Sequence, residues 1–205
     1  MHQQRKEYYL SVEGKTEQWY FEWLQRMVGK TVAIRCTTHN PLKCVRNLKM
    51  VQPTEIMHVT DYEGANGSEH FYNALDSMKK ATLGKSIQYA LGYSNLTFEL
   101  WLLLHKTDYN TSLTRRDRYI KPIRDAFSVN FENLDEYKEE RNFKSILQQL
   151  TLNNVREAIQ RAKAITKRNQ DNDYKLLEYK GYKYYAENPS LSVHEVVEKI
   201  IAECV

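Results

Sequence analysis

Tyr8-Tyr9-Leu10-Ser11-Val12-Glu13-Gly14-Lys15-Thr16-Glu17 is an apolar run that closes on an acid and then turns into a helical pattern. Trp19, Tyr20, Trp23, Leu24, Met27 and Val28 continue at helical spacing until Gly29 stops the helix. Strand, acid, turn and helix in that order make the first unit of a parallel α/β fold, where reactive groups gather beyond the carboxyl ends of the strands. Gly14 is expected to supply a sharp turn, and Thr16 to cap a helix whose first turn carries Glu17. The triplet Gly14-Lys15-Thr16 also looks like the end of a phosphate-binding P-loop. That loop needs a glycine where this chain has Tyr9, inside the strand, so the nucleotide reading fails.

Outward from this unit the pattern repeats. Thr31 to Cys36 reads as a second strand, and Leu42, Val45, Leu48 and Val51 as a helix closed by Pro53. Ile56 to Thr60 is a third strand, ending in Asp61-Tyr62-Glu63-Gly64. After a loop over residues 64–67, Ser68 is expected to cap a helix carrying Phe71, Leu75 and Met78; Gly84 breaks it before a fourth strand, Ile87 to Leu91. Residues 1–110 are thus expected to form an α/β core with a mostly parallel central sheet. In it Glu13 and Asp61 fall in one crevice. Asp61 and Glu63, two apart in extended backbone, point to the same side, where a hard divalent cation could bridge them.

From Asn95 to His105 the chain reads as a helix apolar nearly all round, with Glu99 inside it. A charge in that setting needs a partner, and both a Lys or Arg and a metal ion would serve. Past Leu113 no strand is expected. Arg115 to Phe127, Phe143 to Leu150, Asn154 to Lys167 and Val193 to Cys204 carry helical periodicity, and the polar stretch from Thr166 to Asp173 reads as a mobile connection. Residues 111–205 are expected to be a helical extension packed on the core as one unit.

At 205 residues and 41% hydrophobic content, the chain can bury one good core with a small appendage. No stretch reaches the roughly 20 apolar residues of a membrane span, and the polar start lacks the apolar core of a leader, so a cytoplasmic protein with no membrane partner is expected. Cys36, Cys44 and Cys204 suit neither a disulfide framework nor a zinc site, and the six histidines show no His-Glu-x-x-His spacing. A net charge of +4 says little, but its distribution says more. Arg115, Arg116, Arg118, Lys121 and Arg124 put five cations within eleven residues, a candidate phosphate-contacting surface. Lys175, Lys180 and Lys183 alternate with Tyr174, Tyr179, Tyr182, Tyr184 and Tyr185, the combination expected where unpaired bases stack on tyrosines and lysines meet phosphates. Tyrosines packed on the core beneath a solvated face explain the same pattern.

Glu13-Gly14-Lys15-Thr16-Glu17, the acids at Asp61 and Glu63, the string Ser94-Asn95-Leu96-Thr97-Phe98-Glu99-Leu100-Trp101-Leu102-Leu103-Leu104-His105 and the late Asn188-Pro189-Ser190 together resemble the RloB family. The resemblance implies a Toprim-like Rossmannoid core and an anti-phage, abortive-infection role beside an ATPase of AAA or ABC type encoded next to it. It makes Glu13 the strand-one glutamate and Asp61 with Glu63 the pair that holds Mg2+ or Mn2+. Toprim proteins usually carry Asp where Glu63 stands, and family members often carry Pro where Leu96 stands. The reaction implied is hydrolysis of nucleic acid. Glu13 would hold a second ion or act as base, Glu17 and Glu99 would assist, and Lys15 would steady the transition state. A catalytically weak module that regulates the ATPase or binds nucleic acid is the alternative, and a nucleotide sensor using the same acids is a third. A homodimer is compatible with this sequence.

Overall fold

Largely buried runs, each followed by a turn or polar stretch, build the sheet, as in strands covered on both faces. The computed structural model describes residues 5–47, 54–64, 68–83 and 86–204. Within them the chain runs β1 (Lys6–Val12), α1 (Lys15–Val28), β2 (Val32–Thr37), α2 (Pro41–Asn47), β3 (Thr54–Asp61), α3 (Glu69–Thr82), β4 (Ile87–Asn95) and α4 (Glu99–Leu104). A 3-10 turn (Arg116–Tyr119) leads into α5 (Ile120–Phe127), α6 (Leu134–Tyr137), α7 (Glu140–Leu147), α8 (Leu152–Asp171), β5 (Leu176–Tyr179), β6 (Tyr182–Tyr185), β7 (Ser190–Leu191) and α9 (His194–Ala202). The main sheet has the order β2-β1-β3-β4-β7, parallel through its first four strands, with β7 antiparallel on β4. The expected α/β class, parallel sheet and largely helical C-terminal part are all present.

Strand periodicity of two assigns side chains to the faces. Leu10, Val12, Met57 and Val59 enter one core together with α1, α4, α5, α7, α8 and α9. Ile56, Tyr89, Leu91 and Tyr93 enter the other, under α2 and α3. The first core mixes early residues such as Tyr20 and Trp101 with late ones such as Tyr137, Ile159 and Val197, so the C-terminal half is welded to the sheet by burial. Among the described residues no helix is long and apolar enough to cross a membrane.

Several expectations need correction. Strand β4 continues past Leu91 to Asn95, and α4 begins only at Glu99, so Asn95 to Phe98 are not helical; the Asn95–Leu96 peptide is cis. Ser94 and Asn95 pair with Leu191 and Ser190, a long-range partner that local helical patterning does not reveal. Three strands lie beyond Leu113, and β5 and β6 form a hairpin under α3 and β4. Residues 166–171 belong to α8, where Asn169 is fully buried and donates to Pro189 O at 3.0 Å. Met27 is exposed, whereas Tyr20, Phe21 and Leu24 of the same helix are fully buried. The expected helical positions Leu48 and Val51, most of the loop over residues 64–67, and Gly84 lie outside the described residues.

Asn95 ties β4 to the segment after the hairpin, its Nδ2 donating to Tyr185 O at 3.3 Å and Ala186 O at 2.9 Å from a fully buried position. Asn95→Ala leaves both carbonyls buried without that donor and is expected to cost about 1–3 kcal/mol in urea denaturation. The transition should stay single for the wild type, because both halves share one core.

Candidate active site

Parallel pairing sets Val12 beside Val59, and the next amide, Glu13 N–H, donates to Val59 O at 3.1 Å. That register brings the ends of β1 and β3 together. Glu13 Oε2 accepts from Thr60 Oγ1 at 2.7 Å and from the Asp61 amide at 3.2 Å. Asp61 and Glu99 share one hydroxyl, because Thr97 Oγ1 donates to Asp61 Oδ2 at 3.2 Å and closely to Glu99 Oε2. Glu17 Oε2 accepts from Thr16 Oγ1 at 3.0 Å. Glu13, Glu17, Asp61 and Glu99 line one cleft of about 170 Å³ together with Gly14, Lys15, Thr16, Arg116 and Lys138.

The roles at the start of α1 differ from expectation. Gly14, not Thr16, occupies the N-cap, in extended backbone at φ −124°, and the Thr16 hydroxyl serves Glu17. A Cβ there would lie 2.6 Å from Glu17 Oε2, so a larger residue would have to displace that carboxylate. Lys15 lines the cleft while its Nζ turns to Gln18 Oε1 at 3.1 Å.

Two cations from the C-terminal half enter the cleft. Arg116 stands 3.9 Å from Asp61 and pairs closely with Glu63, and Lys138 lies 3.7 Å from Glu99. The ion-pair reading of Glu99 is therefore the one seen. Asp61 and Glu63 both face Arg116, whose guanidinium reaches the two carboxylates, with Glu63 exposed beyond the strand end. No three His, Cys, Asp or Glu side chains among the described residues stand as a ready ligand set for a metal ion.

Burial and mutual repulsion dominate the electrostatics. Desolvation first, then the charges of Glu17, Glu13 and Glu99, hold the Asp61 carboxyl well above the usual carboxylate range, against the pull of Arg116. Desolvation likewise raises Glu17 to about 6, with Glu99 and Glu13 adding to it and hydrogen bonds opposing it.

The remaining candidates scatter. Arg115 pairs with Asp117 at 2.8 Å and Lys121 with Asp125 at 2.6 Å, while Arg118 is exposed on the 3-10 turn. The run that looked like one basic surface is thus partly neutralised, and Arg116 leaves it for the carboxylates. On the hairpin, Lys175, Lys180 and Lys183 are exposed, but Tyr184 and Tyr185 are buried, and Tyr179 packs on Tyr72 at 4.9 Å and bonds Asp76 at 3.3 Å. These tyrosines hold the hairpin to α3, so the packing explanation fits and they present no row of free stacking faces. Thr60, Thr97, His70 and Lys138 escaped sequence reasoning. Thr97 lies two residues before Glu99 and was findable as its donor; the bonds of Thr60 to Glu13 and of Thr97 to Asp61, like the approach of His70 and Lys138, come only through tertiary packing.

The Glu17 carboxyl is raised in the fold above its ordinary 4.5, so its charged form is the disfavoured one and stability falls as pH rises through about 4.5–6. Glu17→Gln removes that loss. The variant should exceed wild type by about 2 kcal/mol at pH 8 and match it at pH 4, measured by urea denaturation at both values.

A family model described as RloB-like protein matches residues 8–200. Comparison with curated proteins and with solved structures gives no match. The matched span contains most of β1, all of β3, the Ser94 to His105 string and every residue of the carboxylate cleft, and it shows that the chain belongs to the RloB-like family.

Proposed function

We propose that this protein is a metal-dependent endonuclease that hydrolyses phosphodiester bonds of RNA or DNA in a Toprim-like site, as the toxic effector of an anti-phage module with a partner ATPase. The observation that carries the reading is the convergence of Glu13, Glu17, Asp61 and Glu99 on one small cleft that also holds Arg116 and Lys138. Four carboxylates form an all-oxygen donor set suited to a hard cation. The elevated Asp61 supports the same reading, since a divalent ion would offset both the desolvation and the repulsion that raise it.

Glu13, Glu17 and Asp61 would hold Mg2+ or Mn2+, in place of the Asp61 and Glu63 pair. Such an ion supplies charge neutralisation at the phosphoryl oxygens and an activated water. For the ion to be taken up, Asp61 must part from Arg116 and the glutamates must turn inward. Arg116 and Lys138, released from their carboxylates, are the chain's own counter-charges for a phosphodiester. Thr60 and the Asp61 amide fix Glu13 at the strand end, where it orients the attacking water.

The regulatory alternative has its own support: Glu63 is engaged by Arg116, and no ready ligand set exists among the described residues. It makes the chain a weak or inactive Toprim module acting on its ATPase.

Labelled RNA and single- and double-stranded DNA, incubated with Mg2+ or Mn2+ with and without the ATPase, separate the two. Cutting that needs metal and falls about 100-fold or more in Glu13→Ala and Asp61→Ala is expected. No cutting under any condition, with no metal binding, selects the regulatory module. In parallel, Mn2+ should raise the melting temperature of wild type and leave that of Asp61→Asn unchanged, because only the carboxylate form binds the ion.

A further inference from the structure

Glu13 lies on the wall between two hollows. On the side of Asp61 it faces the charged cleft; on the other it borders a separate cavity of about 500 Å³ between β1, β3 and α3. Strand alternation produces this division. Leu10 and Val12 point into the core under α1, so Ser11 and the adjoining end of β1 face α2 and α3, opposite to Asp61.

The two hollows differ in chemistry. The charged cleft carries Lys15, Arg116 and Lys138. The cavity is lined, among the described residues, by no lysine or arginine, but by Thr38, Asn40, Asn73, Ser77 and two histidines. His58 is buried, with its Nδ1 held by Ser11 Oγ at 2.8 Å, and desolvation lowers it to about 4, so it presents an uncharged imidazole. His70 stands at the rim, its Nε2 3.0 Å from Glu13 Oε1. Neutral amides, hydroxyls and an imidazole offer hydrogen bonds without attracting phosphate, and the volume falls within the range of pockets that enclose small ligands.

We infer that this cavity is a nucleoside subsite, which takes the base and sugar next to the scissile phosphate while that phosphate lies across Glu13 over the carboxylates. The inference rests on the phosphodiester-hydrolysis reading and adds to it a substrate orientation. Asn73 and Ser77 on α3, with Asn40 before α2, meet the edges of the base. His70 stands at the crossing point, beside Glu13. Ala74, which lines the wall between Asn73 and Ser77, sets how bulky a base can enter.

Isothermal titration of the full chain with adenosine and cytidine 5′-monophosphates, and with inorganic phosphate as control, tests this directly. Both mononucleotides should bind at least tenfold more tightly than phosphate. Ala74→Trp, which puts an indole into the cavity between Asn73 and Ser77, should abolish that advantage and leave phosphate binding unchanged. Asn73→Leu, at an exposed rim position, should weaken mononucleotides several-fold and answers the question if the tryptophan variant does not fold. Mononucleotides that bind no better than phosphate, or that bind both variants like wild type, overturn the subsite. Cleavage assays on the same proteins report separately on the nuclease: a chain that binds mononucleotides through the cavity but cuts nothing keeps the cavity as a nucleoside pocket and removes the nuclease reading, and with it the orientation across a scissile phosphate. One that cuts while mononucleotides bind Ala74→Trp like wild type removes the subsite alone.

Discussion

Repulsion among Glu13, Glu17, Asp61 and Glu99 is the constraint around which the rest of the structure is arranged. Glu17 is 5% exposed and Glu99 1% exposed, so water cannot screen them fully. Each acid instead receives a hydroxyl donor: Thr16 for Glu17, Thr60 for Glu13, and Thr97 for Asp61 and Glu99 together. Thr16 and Thr97 serve acids one and two residues away, whereas Thr60 reaches Glu13, and Thr97 reaches Asp61, only through the strand register. The compensating charges, Arg116 and Lys138, arrive from the segment beyond α4. The packing of the C-terminal half is therefore a condition for the cleft, and the shared core of Tyr20, Trp101, Tyr137 and Val197 is what enforces it.

The same arrangement explains why the cleft tolerates so much stored electrostatic cost. A carboxylate raised by its neighbours is a poor contributor to stability, and native proteins keep such groups where charge is to be bound or moved. The welding contacts lie elsewhere: Asn95 on the carbonyls of Tyr185 and Ala186, β7 on the end of β4, and Asn169 on Pro189. Stability is thus concentrated around the end of β4 and the returning chain, close to the acids that oppose it.

Glu13 joins the two hollows at the sheet's carboxyl edge. Its backbone continues β1, its carboxylate reaches Thr60 and the Asp61 amide, and its other oxygen faces His70. A residue at a strand end escapes the strict alternation of the strand interior, and this lets one side chain border two hollows at once, the charged cleft and the cavity that His70 rims.

Local pattern in the sequence determined a good deal here. Apolar runs closed by Glu13 and Asp61, helical spacing from Trp19 to Val28, and the apolar string around Glu99 fix the α/β core and place three of the four cleft acids, since each depends only on neighbours within a few residues. Glu17 follows from the same opening motif. Tertiary structure alone decided what those acids meet. Glu63 turns out to Arg116 because the 3-10 turn lies there, and the tyrosines of the hairpin become glue because α3 and Phe71 lie beneath them. Ser94 and Asn95 become strand because β3 on one side, and β7 almost a hundred residues later on the other, pair with the end of β4. Such pairings are long-range energies with no local signature, so a reading that works outward from periodicity finds the acids and Arg116 but misses that they meet, and misses Lys138, the hairpin and the cavity beside them.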